Sequence, residues 1–176
     1  MFNYNRNDRV VGYQELKLNR SDLIVSKTDT NGLITYANPS FVRISGYSTK
    51  ELVGQPHNIM RHPDMPRAIF ARMWKMLQSD KPIYCYVKNL AKDGSFYWVF
   101  AYMIPDLDAK GNVIGYHSER RAPNPKAIAE IENLYEKVKH IEIADGIEAA
   151  LSYLNHIGTL KAESCENYIY KLQNQE

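Results

Sequence analysis

An α+β fold built on one antiparallel sheet is what this sequence predicts, and three observations carry that reading. Two apolar runs, Leu23-Ile24-Val25-Ser26-Lys27-Thr28-Asp29 and Leu33-Ile34-Thr35-Tyr36-Ala37, flank the turn Asn31-Gly32, the pattern of a β-hairpin. From Asn38 to Gln78 the apolar spacing changes to that of short helices. Three further strand-like runs follow, Ile83 to Leu90, Ser95 to Ile104 and Val113 to Arg121, joined by Ala91-Lys92-Asp93-Gly94 and Lys110-Gly111-Asn112. Strands, then helices, then strands is the order of an antiparallel sheet with helices on one face.

Each element has a local reason. Residues 1–20, rich in Asn, Arg and Tyr, read as an arm or cap. Asn38-Pro39 is a helix start, with Phe41, Ile44 and Ser45 on one face before Gly46. Ser48 and Glu51 form a capping-box pattern that Gly54 closes. From Ala68 to Gln78, Ile69, Phe70, Met73, Trp74 and Leu77 share one face, and Arg67, Arg72, Lys75 and Gln78 the other. The middle strand is apolar on both sides: Phe96, Trp98, Phe100 and Tyr102 against Tyr97, Val99, Ala101 and Met103. A sheet with one wet face alternates apolar with polar, so both faces here need cover. Beyond Pro123 and Pro125, Ile128, Ile131, Tyr135 and Val138 make a helical seam, and Ile147, Leu151 and Leu154 a second one before a polar tail. The expected organisation is an arm over 1–20, a domain over 21–122 and a C-terminal helical extension over 123–176.

Bulk properties exclude several classes. The 176 residues carry 44% hydrophobic and 24% charged side chains, values of a globular chain. A net charge of +2 without a dense basic stripe gives no reason to expect nucleic acid, and Arg120-Arg121 reads only as a local basic spot. Cys85 and Cys165 lie far apart without CxxC spacing, which fits a reducing compartment. No signal-peptide pattern and no run of some 18 apolar residues occurs, so the expectation is a cytoplasmic protein without membrane insertion. No catalytic constellation, phosphate loop or HExxH appears, so an enzyme is not expected.

The densest chemistry lies in Pro56-His57-Asn58-Ile59-Met60-Arg61-His62-Pro63-Asp64-Met65-Pro66. Read plainly, Asp64 caps the following helix and Arg61 and His62 are solvated. Read functionally, Arg61 offers a fork of donors for phosphate or a carbonyl, and His62 can donate or accept. Asp64 can then orient both, while the prolines hold the segment in shape.

The order of elements and several motifs resemble the PAS sensors of the aerotaxis (Aer) family. The resemblance spans about residues 21 to 122. "ITYAN", "SGY" and "EL" followed by Gly54 are general to PAS, whereas "GQPHNIMRHPDMP" is narrower. It implies a five-stranded PAS fold with short helices on one face, to which the C-terminal helices read from the apolar seams beyond Pro125 are appended. It further implies non-covalent FAD, with FMN or haem as alternatives, held by Asn38, Arg61, His62, Asp64, Trp74, Asn89 and His117. His117 stands where flavin-binding LOV domains carry a Gln, and Ile83 where the aerotaxis family carries a Trp. His57 aligns with the reactive Cys of photochemical LOV domains, so no photoadduct is expected.

The function implied is a cytoplasmic redox sensor. It would relay flavin state to a separate membrane-bound methyl-accepting chemotaxis protein lacking its own sensor domain, placing this chain at the inner membrane only through that partner. The alternatives are a haem-binding PAS gas sensor, with His57, His62 or His117 as iron ligands, and a small flavin oxidoreductase. The sheet face bearing Trp98, Phe100 and Tyr102 would be covered by that receptor, by a homodimer partner, by the arm or by the C-terminal helices.

Overall fold

The computed structural model describes residues 11–160 and 164–175. One antiparallel sheet holds five strands: β1 (Leu23–Thr28), β2 (Ile34–Ala37), β3 (Ile83–Leu90), β4 (Phe96–Leu107) and β5 (Val113–Arg121). Their spatial order is β2-β1-β5-β4-β3, so the N-terminal hairpin docks on the last strand rather than on the next one. Gly32 turns that hairpin at φ +81, and a Cβ there would meet the Trp74 ring at 3.1 Å. Gly115 is needed for a different reason, since a Cβ on it would lie 2.2 Å from the Thr28 carbonyl oxygen.

Helices α1 (Pro39–Ser45), α2 (Thr49–Leu52) and α3 (Arg67–Leu77) link β2 to β3, with a 3-10 turn at His57–Met60 between the last two. Asn38 caps α1, and Ser48 with Glu51 completes the capping box of α2. Strand register settles which side chains face these helices. Ile24, Ser26 and Thr28 pair with Arg120, Ser118 and Tyr116 on the inner face. Cys85, Val87 and Asn89 pair with Ala101, Val99 and Tyr97 on the same side.

The outer face is covered over β3 and β4 by the chain itself. Helices α4 (Pro125–Asp145), α5 (Ile147–Leu160) and α6 (Cys165–Gln173) wrap the β3 edge. Tyr135 of α4 lies 6.2 Å from the Trp98 ring, and Tyr170 of α6 lies 5.2 Å from Tyr84. Trp98 and Phe100 are consequently only 4% and 8% exposed. Of the covers the sequence left open for that face, the C-terminal helices are the ones observed. The segment read as a polar tail folds as α6, started by Ser164 and burying Tyr168, Ile169 and Leu172. Asn124, the cap of α4, also donates to the carbonyls of Leu172 and Gln175, tying the two ends of this bundle. The arm packs the partly buried Leu16 and Leu18 against the core, and Phe96 exchanges backbone hydrogen bonds with Gln14 and Leu16. Residues 1–10 of that arm lie outside the described residues.

Candidate functional site

The proline-fenced segment is anchored at both ends. Arg61 forms an antiparallel backbone bridge with Asn89, which brings the segment to the end of β3. The Arg61 guanidinium lies 4.1 Å from the centroid of Phe70, with its Nε and Nη2 buried. His62 is 2% exposed and its Nδ1 accepts the Asp64 backbone N–H at 3.1 Å. Burial, aided by the Lys88 charge, holds its pKa down at about 4. The Asp64 carboxylate accepts from Lys88 Nζ at 2.9 Å. Burial works against ionisation of that carboxyl, but the Lys88 bond and charge win and hold it below the usual carboxylate range. Arg61, His62, Asp64 and Asn89 therefore form one group.

The expected capping role of Asp64 is corrected. Its carboxylate is turned to Lys88, and α3 has no side-chain cap from its own N-cap residue, Pro66. The N–H of Ala68 bonds instead to Glu142 of α4, at 2.8 Å.

The other three sequence candidates lie elsewhere. Asn38 spends its amide on the fold: Oδ1 accepts from the N–H groups of Phe41 and Val25, and Nδ2 donates to the Leu23 carbonyl. Trp74 sits about 10 Å along α3 from its start, edge-on to Tyr116 at 5.2 Å and against Gly32. His117 is a correction, because strand alternation turns it to the outer face, where its Nε2 is 3.4 Å from Glu119. The inward positions of that strand are Tyr116, Ser118 and Arg120.

Arg120 is the residue the sequence reading passed over. It is 3% exposed, lies 4.6 Å over the Phe41 ring and donates through Nη2 to Ser26 Oγ. Among the described residues, its Nε and Nη1 have no hydrogen-bond partner. Burial lowers its pKa to about 10, and no carboxylate of the described residues offsets that effect. Ser26 Oγ, already accepting from Arg120, lies 3.0 Å from His57 Nε2 and can donate its proton there. The His57 ring is stacked on Phe41, and burial with the Arg120 charge holds its pKa down at about 3. The signal was present in the sequence. Once Tyr116 is placed inward, an arginine four residues on must also point into the core.

This interior is unusual for a closed core. Arg120, Ser26, Ser118, Thr28 and His57 line the β1–β5 side, and Asn89 and Tyr97 the β3–β4 side. Thr28 Oγ1 is also buried without a partner among the described residues. Such groups are disfavoured unless paired, each one costing on the order of 1–3 kcal/mol.

Comparison with known proteins agrees with the architecture. The family described as PAS fold matches residues 34–118. The chain is 44% identical over 125 residues to the aerotaxis receptor of Escherichia coli, covering 71% of this chain and 24% of that receptor. It is 33% identical over 102 residues to the nitrogen fixation regulatory protein of Klebsiella pneumoniae, covering 58% of this chain and 21% of that protein. The chain thus spans about a quarter or less of the length of these relatives. Among solved structures, a light-oxygen-voltage domain studied with a flavin analogue superposes with TM-score 0.56 at 22% identity, over 65% of this chain and 87% of that one. The dark structure of the Aureochrome1 LOV photoreceptor gives 0.55 at 21% identity, over 68% and 86%. No helix among the described residues is long and apolar enough to cross a membrane. The strand order, the helical layer and these matches agree that residues 34–118 lie in a PAS domain, similar in sequence to the aerotaxis receptor.

Proposed function

We propose that this chain is a redox sensor that binds FAD non-covalently inside its PAS domain and passes the flavin state to a separate methyl-accepting chemotaxis protein. The observation that carries the flavin reading is Arg120, a buried guanidinium that, among the described residues, has two donors unspent and no carboxylate acting on it. A flavin ring edge carries carbonyl and nitrogen acceptors, so the donor set fits the group. Similarity to the aerotaxis receptor supports the same reading and favours FAD and a chemotaxis partner.

When bound, a flavin supplies reversible reduction, with a change of charge and of hydrogen-bonding pattern at the ring. The chain's own residues supply the rest. Arg120 would donate to the ring edge, and Asn89, buried on the inner face, would offer its amide. Arg61 carries the fork of donors suited to a pyrophosphate. Tyr97, Val99 and Phe41 keep the interior apolar around them. A redistribution of acceptors forces Arg120, Ser26 and His57 to re-pair. Leaving one buried polar group unpaired shifts a two-state equilibrium roughly tenfold or more.

Purified protein tests this directly. An absorption spectrum with flavin bands, and FAD as the mass of the released cofactor, is the expected result. A Soret band would place haem there instead. Colourless protein that stays colourless with added FAD would overturn the reading.

A further inference from the structure

The side of the proline-fenced segment away from the sheet is held by α4. Lys139 Nζ donates to the Pro63 carbonyl at 2.9 Å. One turn further along α4, the Glu142 carboxylate accepts from the Ala68 N–H at 2.8 Å. That N–H belongs to the first turn of α3, which has no cap of its own, so an anion there is favoured by both a hydrogen bond and the helix dipole. On the sheet side, Lys88 holds Asp64, and the Met65 sulfur accepts the Lys88 N–H at 3.4 Å. The segment is therefore clamped between β3 and a helix outside the PAS domain. Beside these contacts lies a cleft of about 420 Å³ lined by Lys88 and Trp98 of the sheet and Tyr135 and Lys139 of α4. The two polar tethers add to the apolar packing of Ile131, Tyr135 and Val138, and they are the contacts that reach the segment's own backbone.

We propose that Lys139 and Glu142 are positioning residues for the cofactor segment, so that flavin occupancy and the docking of α4 are thermodynamically linked. This rests on the flavin reading above and adds the element that responds to it. Neither residue need touch the flavin. Each fixes the backbone on which Arg61, His62 and Asp64 are presented. Linkage is reciprocal, so whatever flavin state loosens that backbone also loosens α4, and the bundle α4–α6 becomes the part of the chain that reports it.

The test compares wild type with Glu142→Ala, Glu142→Gln, Lys139→Ala and Arg72→Ala. The readouts are the dissociation constant for FAD, from the fluorescence of free flavin, and amide exchange across residues 61–68 in flavin-free protein. Glu142→Ala is expected to raise the constant about tenfold and to speed exchange at Ala68, the size of a typical coupling. Glu142→Gln keeps an acceptor oxygen and should recover most of both, and Lys139→Ala should act in the same direction by about threefold. Arg72→Ala removes the α3 contacts to Asn155 of α5 and Glu166 of α6 without touching the segment, and should leave both readouts near wild type. Wild-type flavin binding that ignores Glu142, or an Arg72→Ala effect equal to that of Glu142→Ala, would overturn the proposal. A wild-type protein that takes up no flavin would instead remove the reading beneath it, and the linkage with it.

Discussion

Tyr135 of α4 donates its hydroxyl to the backbone carbonyl of Tyr86, 2.7 Å away on the edge strand β3. Edge strands leave a row of unpaired backbone groups, and this bond is one way the chain closes its own. Both residues are buried, Tyr86 completely and Tyr135 to 5% exposure. Burial with no charged partner pushes the Tyr135 hydroxyl far above its ordinary pKa, so it remains a donor at any physiological pH. Tyr135→Phe keeps the ring and orphans the carbonyl. The expected loss is about 1–3 kcal/mol of unfolding free energy, read by denaturant titration.

Trp98→Ala separates packing from docking. The indole is 4% exposed beneath the chain's own Tyr135, with Lys88 Nζ 5.9 Å from its ring. Its removal leaves a cavity against α4, with an expected loss of about 3–5 kcal/mol. A thermal melt lowered by several degrees is the check. An unchanged melt would mean that the helices do not cover this face in solution.

Much of the architecture was legible because the signals were local. The hairpin at Asn31-Gly32, the capping box of Ser48 and Glu51, and the strands Ile83–Leu90 and Val113–Arg121 all follow from residues near in sequence. The cap of α3 was not legible, because its acceptor, Glu142, is 74 residues away. Helix α6 was missed because its apolar residues, Tyr168, Ile169 and Leu172, are few within a polar stretch and gain burial only against β3, α4 and α5. His117 and Arg120 were misjudged for one reason. Alternation along β5 puts them on opposite faces, and parity can be fixed only by a neighbour of known orientation such as Tyr116.

Arg120→Met should move stability and binding in opposite directions. In flavin-free protein the change removes two unpaired buried donors, together with the bond to Ser26 and the contact with Phe41. Replacing an uncompensated buried charge with an apolar side chain of similar length is expected to be neutral or to stabilise by about 1–3 kcal/mol. Flavin affinity should fall by tenfold or more, since a charge-assisted donor is lost. Chemical denaturation of the apoprotein and flavin titration of the same sample read the two effects separately. Loss of both together would show that Arg120 is simply part of the core.

Acid should destabilise the fold through two imidazoles, the buried His62 and the partly buried His57. His57 and His62 have folded-state pKa values of about 3 and about 4, below the ordinary histidine value of 6.5. Between those values and 6.5 the unfolded chain binds more protons than the native one, so stability rises with pH and is lost as pH falls from 6.5 toward 4. The local cause differs at the two sites. A protonated His62 can no longer accept the Asp64 N–H, and a protonated His57 sets a second cation against the hydroxyl that Arg120 already uses. Each group contributes up to about 1.4 kcal/mol per pH unit over that window. Urea midpoints measured from pH 7 to pH 4.5 should therefore fall steeply in wild type. His57→Phe, which keeps a ring against Phe41 but cannot take up a proton, should flatten that fall by about half. An unaltered slope would mean that the His57 ring is solvated and titrates as it does in the unfolded chain.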